Sequence, residues 1–309
     1  MTAIPSPTLV IDGGVFAYLV ASTTARDSDG ALVPDAPSPL LRAREDLISL
    51  REQFGAGRMI MAWDGGGASA RDKMIREYNA RLAEGVAAHP AYKAARRARR
   101  DADPTACAMY ERARELTEFL CVALPAWGVE QVIAPAGYEG DDALATIARD
   151  ATRWPGQIVL CTSDHDLWPL LVDPRIAMFV PGDELPFRGE DLLKREGLTP
   201  TEAASVAAIA GCASDGVRGL KGIGMAKALR LVRACPGIVG LLAASTPVSD
   251  IMIRASIASF DPKAAKFAEQ AIAGREIVEL TERLTRLYDV ELENDIAQNA
   301  QKGQKEDGN

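Results

Sequence analysis

Short apolar runs that stop at or just before an aspartate punctuate the first two thirds of this 309-residue chain. Residues 8–11 lead into Asp12, and residues 58–63 lead into Asp64. A third run, residues 157–161, precedes Asp164 and Asp166. Such runs read as strands buried on both faces, which belong in a parallel sheet covered by helices. Helical patterns fall between them, at residues 39–54, 104–124 and 141–152. The alternation predicts an α/β fold with a mainly parallel sheet, whose ligands sit outside the carboxyl ends of the strands. The acids fall where a site is expected.

The densest signal is Tyr138-Glu139-Gly140-Asp141-Asp142, followed by Ser163-Asp164-His165-Asp166. The first group has two readings. Acids in the first turn of a helix cap free N–H groups and offset the helix dipole. Alternatively, they join the strand-end acids in one cleft, where mutual repulsion calls for hard divalent cations bound through oxygen. Mg²⁺ or Mn²⁺, one ion or two, is then implied, and a pair of such ions serves phosphodiester hydrolysis.

A net charge of −8 argues against nucleic acid until its distribution is considered. Acids accumulate from Asp289 onward in an aperiodic stretch, and a disordered tail is expected over 291–309. Residues 71–100 reverse the balance, with Arg71, Lys73, Arg76, Arg81, Lys93, Arg96, Arg97, Arg99 and Arg100 facing Asp72, Glu77 and Glu84. The five cysteines form no CxxC pair, which supports neither a disulfide framework nor a zinc site. No apolar run reaches the roughly 20 residues of a membrane span, and no export signal is evident. A cytoplasmic location is expected.

Asp12, Asp64, Glu139-Gly140-Asp141-Asp142, Ser163-Asp164-His165-Asp166 and the stretch Ala213-Ser214-Asp215-Gly216-Val217-Arg218-Gly219-Leu220-Lys221-Gly222-Ile223-Gly224 together resemble the bacterial and bacteriophage 5′ nuclease family. These are relatives of the flap endonucleases and of the exonuclease domain of bacterial DNA polymerase I. The resemblance runs over residues 8–245. It implies a PIN-like core with a helical arch at about 66–104 within residues 1–198, then a helical region over 199–290. That region carries a helix-three-turn-helix element at about 201–234.

The resemblance assigns a first metal to Asp12, Asp64, Glu139 and Asp141, with Asp142 beside them, and a second to Asp164, Asp166 and Asp215. It gives Lys93 and Arg96 to the transferring phosphate. Tyr92, Arg97 and Arg100 of the arch, and Gly219, Lys221, Gly222, Gly224 and Lys227 of the glycine-rich turn, are assigned to DNA. A K⁺ ion commonly sits in that turn in relatives. The substrate implied is DNA with a 5′ flap or a 5′ end at a duplex junction. The protein is expected to act as a monomer, with room for a polymerase partner.

One departure stands out. Where the family usually reads Gly-Asp-x-x-Asp, this chain has Gly211-Cys212-Ala213-Ser214-Asp215, and a thiol is a poor ligand for Mg²⁺. A junction-binding protein with weak or no cleavage is therefore a second reading. An RNase of the wider PIN-like group is a third, disfavoured by the glycine-rich turn. A dinucleotide loop at 219–224 fails because the GxGxxG spacing and a preceding strand are absent. His165, between two proposed ligands, is expected to hold no metal, and His89, before Pro90, is expected to have no catalytic role. Leu19 stands where relatives often carry a basic residue.

Overall fold

The computed structural model describes residues 6–24 and 39–292, so most of the tail expected over 291–309 lies outside the described residues. The chain runs β1 (Thr8–Asp12), α1 (Gly13–Thr24), α2 (Pro39–Phe54), β2 (Arg58–Trp63), α3 (Ala70–Asn79), α4 (Ala94–Ala102), α5 (Pro104–Ala123), β3 (Glu130–Ile133), α6 (Gly140–Arg149), β4 (Ile158–Cys161) and β5 (Ile176–Phe179). It continues with α7 (Gly189–Glu196), α8 (Pro200–Ala210), the short hairpin β6 (Gly211–Cys212) and β7 (Val217–Arg218), α9 (Met225–Ala234), α10 (Ile238–Ala244), α11 (Pro247–Phe260), α12 (Ala265–Ala273) and α13 (Arg275–Thr285).

Five parallel strands form the sheet in the order β3-β2-β1-β4-β5. The chain builds outward in one direction through β2 and β3, then returns to the other side of β1 for β4 and β5. The switch point lies between β1 and β4, where parallel α/β sheets open a crevice at their carboxyl ends. Register sets what meets there: Asp12 pairs with Ala62, two residues before Asp64, and Ile11 pairs with Cys161, three before Asp164. Parallel, in-step strands thus end in acids at one edge.

Alternation along the strands divides the core into two layers, because successive side chains point to opposite faces. Val10, Ile60 and Leu160 pack with Ala143, Leu144 and Ile147 of α6. Leu9, Ile11, Met59, Met61 and Val159 pack with Val20, Leu47, Leu116 and Leu120 from α1, α2 and α5. The helical region has its own core, from Val206 and Ile209 to Val278.

The proposed arch segment is not a free span at its base. Ile75 and Tyr92 are buried against Val217, Leu280 and Leu284, joining it to the helical region. His89 is buried there as well: its Nε2 accepts the Arg218 N–H at 3.0 Å, and its Nδ1 lies 2.8 Å from the Pro90 carbonyl. One ring nitrogen accepting and the other donating requires the neutral imidazole, and burial holds the His89 pKa below its ordinary value. No helix among the described residues is long and apolar enough to cross a membrane, and the cysteines are free thiols.

Candidate active site

Asp12 ends β1 with its carboxylate held on both sides. The Val15 N–H donates to Oδ1 at 3.0 Å, and the Thr162 hydroxyl donates to Oδ2 at 3.0 Å. Thr162 is fully buried and follows β4, so this bond spans the switch point. The same hydroxyl accepts the Asp164 N–H at 3.1 Å, and Asp164 Oδ1 accepts the Asp166 N–H at 2.9 Å, starting the 3₁₀ helix His165–Val172. His165 turns outward and stacks on Trp168 at 4.3 Å between ring centroids.

From the other half of the sheet, Asp64 accepts the Gly140 N–H at 2.6 Å. Gly65 permits that approach. Its N–H donates to the Tyr138 carbonyl at 3.0 Å, and a Cβ there would stand 2.0 Å from the Pro135 carbonyl oxygen. Only glycine lets the loops after β2 and β3 close so tightly. Glu139 then caps α6, whose first turn carries Asp141 and Asp142.

Lys93 crosses this edge from the arch. It precedes α4 in the left-handed region, with φ of 54°, and this directs its ammonium onto Glu139 Oε1 at 2.5 Å. Its backbone N–H donates to the Asp215 carbonyl at 2.7 Å. Helix α4 begins at Ala94, so Lys93 lies just outside it. Arg96, mostly exposed, reaches to 3.8 Å from Asp215.

The electrostatics divide the acids. Burial pushes Asp12 up to about 6, against the bonds from Val15 and Thr162, with Asp64 and Asp164 adding to the rise. Burial followed by the Asp164 charge pushes Asp166 up to about 7. Asp141 is held well above the carboxylate range by burial, then by Asp12 and Asp164. Asp215 is raised by burial, less than fully offset by Lys93 and Tyr92. Glu139 behaves oppositely: burial would raise it, but Lys93 and Arg71 together take it below its ordinary value. Cations in the protein thus compensate Glu139 and leave Asp12, Asp141 and Asp166 under-compensated. Such a site fits a divalent cation.

Two sequence expectations, those for Asp142 and Tyr92, need correction. Asp142 was grouped with the metal ligands, yet its side chain is fully buried. Arg71 grips both oxygens at 3.0 and 3.2 Å, and the backbone N–H groups of Glu139 and Tyr288 donate at 3.1 and 2.9 Å. Four donors leave no free lone pair aimed at the cleft, so the helix-capping reading describes this residue. Tyr92, expected on DNA, is buried, and its hydroxyl lies within hydrogen-bond distance of Glu139 Oε2 at 2.9 Å and Asp215 Oδ2 at 3.1 Å. It fixes acids from two separate segments instead of meeting substrate. Arg100 is turned onto Asp101 at 2.9 Å and lies over the Tyr110 ring at 4.1 Å. Gly219 serves close packing, since a Cβ would stand 2.2 Å from the carbonyl carbon of Ala210.

Arg97, Lys221, Gly222, Gly224 and Lys227 are exposed. Lys227 nevertheless donates to the Gly222 carbonyl at 2.7 Å, so a K⁺ ion using that carbonyl would first have to displace an ammonium. The residue that sequence reading missed is Arg71, which was only one of many cations in its segment. Besides Asp142, it lies 3.3 Å from Glu139 and donates to the carbonyls of Leu284 and Arg286 at 3.0 and 3.2 Å. Nothing local in the sequence separates it from Arg76 or Arg81.

The raised Asp166 value gives a signed pH dependence. An unfolded Asp titrates near 3.9, and the folded value of about 7 lies above it. The metal-free fold therefore holds this contribution at acid pH and loses it as pH rises through about 4 to 7. Asp166→Asn is expected to raise the metal-free melting temperature at pH 8 by roughly 3–6 °C, after discounting the shift for partial exposure, and to leave it unchanged at pH 4. Thermal melts in chelator at both pH values measure this. A gain of equal size at pH 4 would remove the electrostatic explanation.

An all-parallel sheet whose switch point gathers carboxylates from five loops and turns defines an α/β protein with an acidic site at the carboxyl edge of its sheet. No protein-family model matches the chain. It is 32% identical over 155 residues to the thermostable DNA polymerase I of Thermus thermophilus, a match covering 50% of this chain and 17% of the polymerase. It is 29% identical over 200 residues to the 5′-3′ exonuclease of Bacillus subtilis, covering 63% of this chain and 58% of that protein. The matches thus span under a fifth of the polymerase and less than two thirds of the exonuclease. Among solved structures, a bacteriophage T5 5′-exonuclease with zinc bound superposes with a TM-score of 0.61 at 17% identity, covering 91% of this chain and 99% of that one. A bacteriophage T5 flap endonuclease complex with DNA and metal ions gives 0.61 at 17%, covering 90% and 97%. The chain is thus similar in sequence to part of the polymerase and of the exonuclease, and it shares its fold with the two T5 proteins.

Proposed function

We propose that this protein is a structure-specific 5′ nuclease that hydrolyses DNA phosphodiesters at a 5′ flap or a 5′ end beside a duplex. The observation that carries the reading is the set of under-compensated acids at the switch point, Asp12, Asp141 and Asp166. Asp12, Asp64, Glu139 and Asp141 are the proposed residues for a first ion, and Asp164, Asp166 and Asp215 for a second. Bound there, Mg²⁺ or Mn²⁺ would supply Lewis acidity and activation of water toward a phosphodiester. The metal ions in the solved T5 structures favour divalent metal use here.

The chain's own residues do the positioning. Lys93 and Arg96 supply positive charge beside the acids, where charge on a transferring phosphoryl group is stabilised. Lys93 is bonded to Glu139 without substrate, so phosphate and Glu139 compete for one ammonium. Tyr92 holds Glu139 and Asp215 in fixed relation. Burial, then the neighbouring Glu139 and Asp215 charges, raises its pKa further, so it stays a donor. Exposed Lys221, Gly222 and Gly224 lead into α9, whose first-turn N–H groups suit a duplex phosphate. Arg97 extends the positive surface, and Lys227 adds charge at the turn. All the proposed ligands come from one chain, consistent with a monomer.

The experiment is cleavage of a labelled 5′-flap duplex, with the matching single strand and an RNA-flap duplex as comparators. Cutting near the junction is expected in Mg²⁺ or Mn²⁺, with loss in excess chelator. Binding to the flap without turnover in either ion would favour the junction-binding reading, and preference for the RNA flap would favour an RNase.

A further inference from the structure

Among the described residues, the three potential ligands whose donor atoms all lie within 4.8 Å of one another are Asp166, Cys212 and Asp215. They come from three local structures: the 3₁₀ helix after β4, strand β6, and the turn joining β6 to β7. The turn also brings Ser214 Oγ to 3.0 Å from Cys212 Sγ. This thiol is therefore part of the acid cluster and not a bystander beside it. Cys212 is partly exposed, unlike the buried Cys161 and Cys235.

Donor chemistry decides what such a group can hold. Mg²⁺ demands oxygen ligands and near-octahedral geometry, and a sulfur in the set disfavours it. Two carboxylates and one thiolate instead provide the three protein donors of a catalytic zinc site, which leaves a further position open. We infer that Cys212 makes the second metal position selective for a borderline-soft divalent transition ion, of the Zn²⁺ or Co²⁺ class, over Mg²⁺. Binding such an ion exchanges the Sγ–H proton, released to solvent, for a metal–sulfur bond. The first position, built from oxygens alone, keeps its preference for a hard ion. This rests on the reading of the acid cluster as a metal centre and adds to it a difference between its two halves.

The test uses Co²⁺ as the probe, added to the full-length metal-free protein in the presence of excess Mg²⁺. A thiolate bound to Co²⁺ produces near-ultraviolet charge-transfer absorption that oxygen ligands do not. The expected result is one such centre per chain, bleached by equimolar Zn²⁺ and insensitive to further Mg²⁺. Cys212→Ser and Cys212→Asp should each abolish the band. Cys212→Ser should also weaken Co²⁺ binding by about tenfold or more, with an unchanged circular dichroism spectrum. Absence of the band in the parent protein, its persistence in Cys212→Ser, or its loss on adding Mg²⁺ would each overturn the inference. Flap cleavage in Mg²⁺ alone, followed in parallel, reports on the nuclease reading separately. A Cys212-dependent band without cleavage upholds the metal selectivity while removing the nuclease, and cleavage without the band does the reverse.

Discussion

Asp141→Ala is expected to abolish divalent-metal-dependent cleavage of a 5′-flap duplex, by on the order of a thousandfold or more, while the protein remains folded. Asp141 is the acid on which the cluster converges: burial, Asp12, Asp164 and Glu139 all act to raise its pKa, and Lys93 opposes them only in part. Removing it takes away a ligand proposed for the first ion. It also removes repulsion that the metal-free fold must carry. The two effects have opposite signs, so activity should fall while the metal-free melting temperature at pH 8 holds or rises. Single-turnover cleavage and thermal melts on the same preparation check both. Undiminished cutting would sink the nuclease assignment, whereas lost cutting with a large fall in melting temperature would show only that the fold had failed.

The second large effect belongs to a residue with no proposed contact to substrate. Arg71→Ala should destabilise the protein by about 3–5 kcal/mol, because it leaves a buried carboxylate without its counter-charge. Arg71 is 3% exposed and Asp142 is 0% exposed, so water cannot take over the lost bonds. A guanidinium here meets Asp142 through two nitrogens and also donates to Leu284 and Arg286, while Asp142 accepts from Tyr288. The pair thereby ties α3 and α6 to the chain segment after α13. Burial would lower the Arg71 pKa, but the bond to Asp142 together with the charges of Asp142, Tyr92 and Glu139 outweighs it, and the guanidinium stays charged. Arg71→Lys should recover only part of the loss, since one ammonium cannot match this forked geometry. Arg71→Met with Asp142→Asn should recover more, because no uncompensated charge remains. Urea unfolding of the series provides the measurement. A loss below about 1 kcal/mol for Arg71→Ala would mean that the pair adds no more than a surface bridge.

The contrast between Asp141 and Asp142 shows where sequence reading reaches its limit. Adjacent acids in one helical turn point about 100° apart, so one faces the cleft and the other faces the interior. Nothing in Gly140-Asp141-Asp142-Ala143 says which is which. The answer depends on Arg71, about seventy residues earlier, and on Tyr288, nearly one hundred and fifty later. Tyr92 and Lys93 present the same difficulty. The resemblance assigned Tyr92 to DNA and Lys93 to the transferring phosphate, whereas the structure turns both side chains onto acids. Strand β3 was missed for a simpler reason: it opens on the polar Glu130 and Gln131, so no continuous apolar run marks it.

The strands ending at Asp12 and Trp63, the third strand ending before Asp164, the helix flanked by Glu139 and the turn leading into α9 were all legible beforehand. Each is written in local terms, as apolar continuity, capping chemistry or glycine at a tight turn. The α/β class follows from their alternation, and a concentration of acid at one sheet edge follows from the class. The tertiary structure alone decided how those acids are distributed. It buried Asp142 against Arg71, left Asp12, Asp141 and Asp166 without sufficient counter-charge, and brought Cys212 into the group with Asp166 and Asp215. Propensity and periodicity act between neighbours in the chain, whereas burial and Coulomb interactions depend on distance in space.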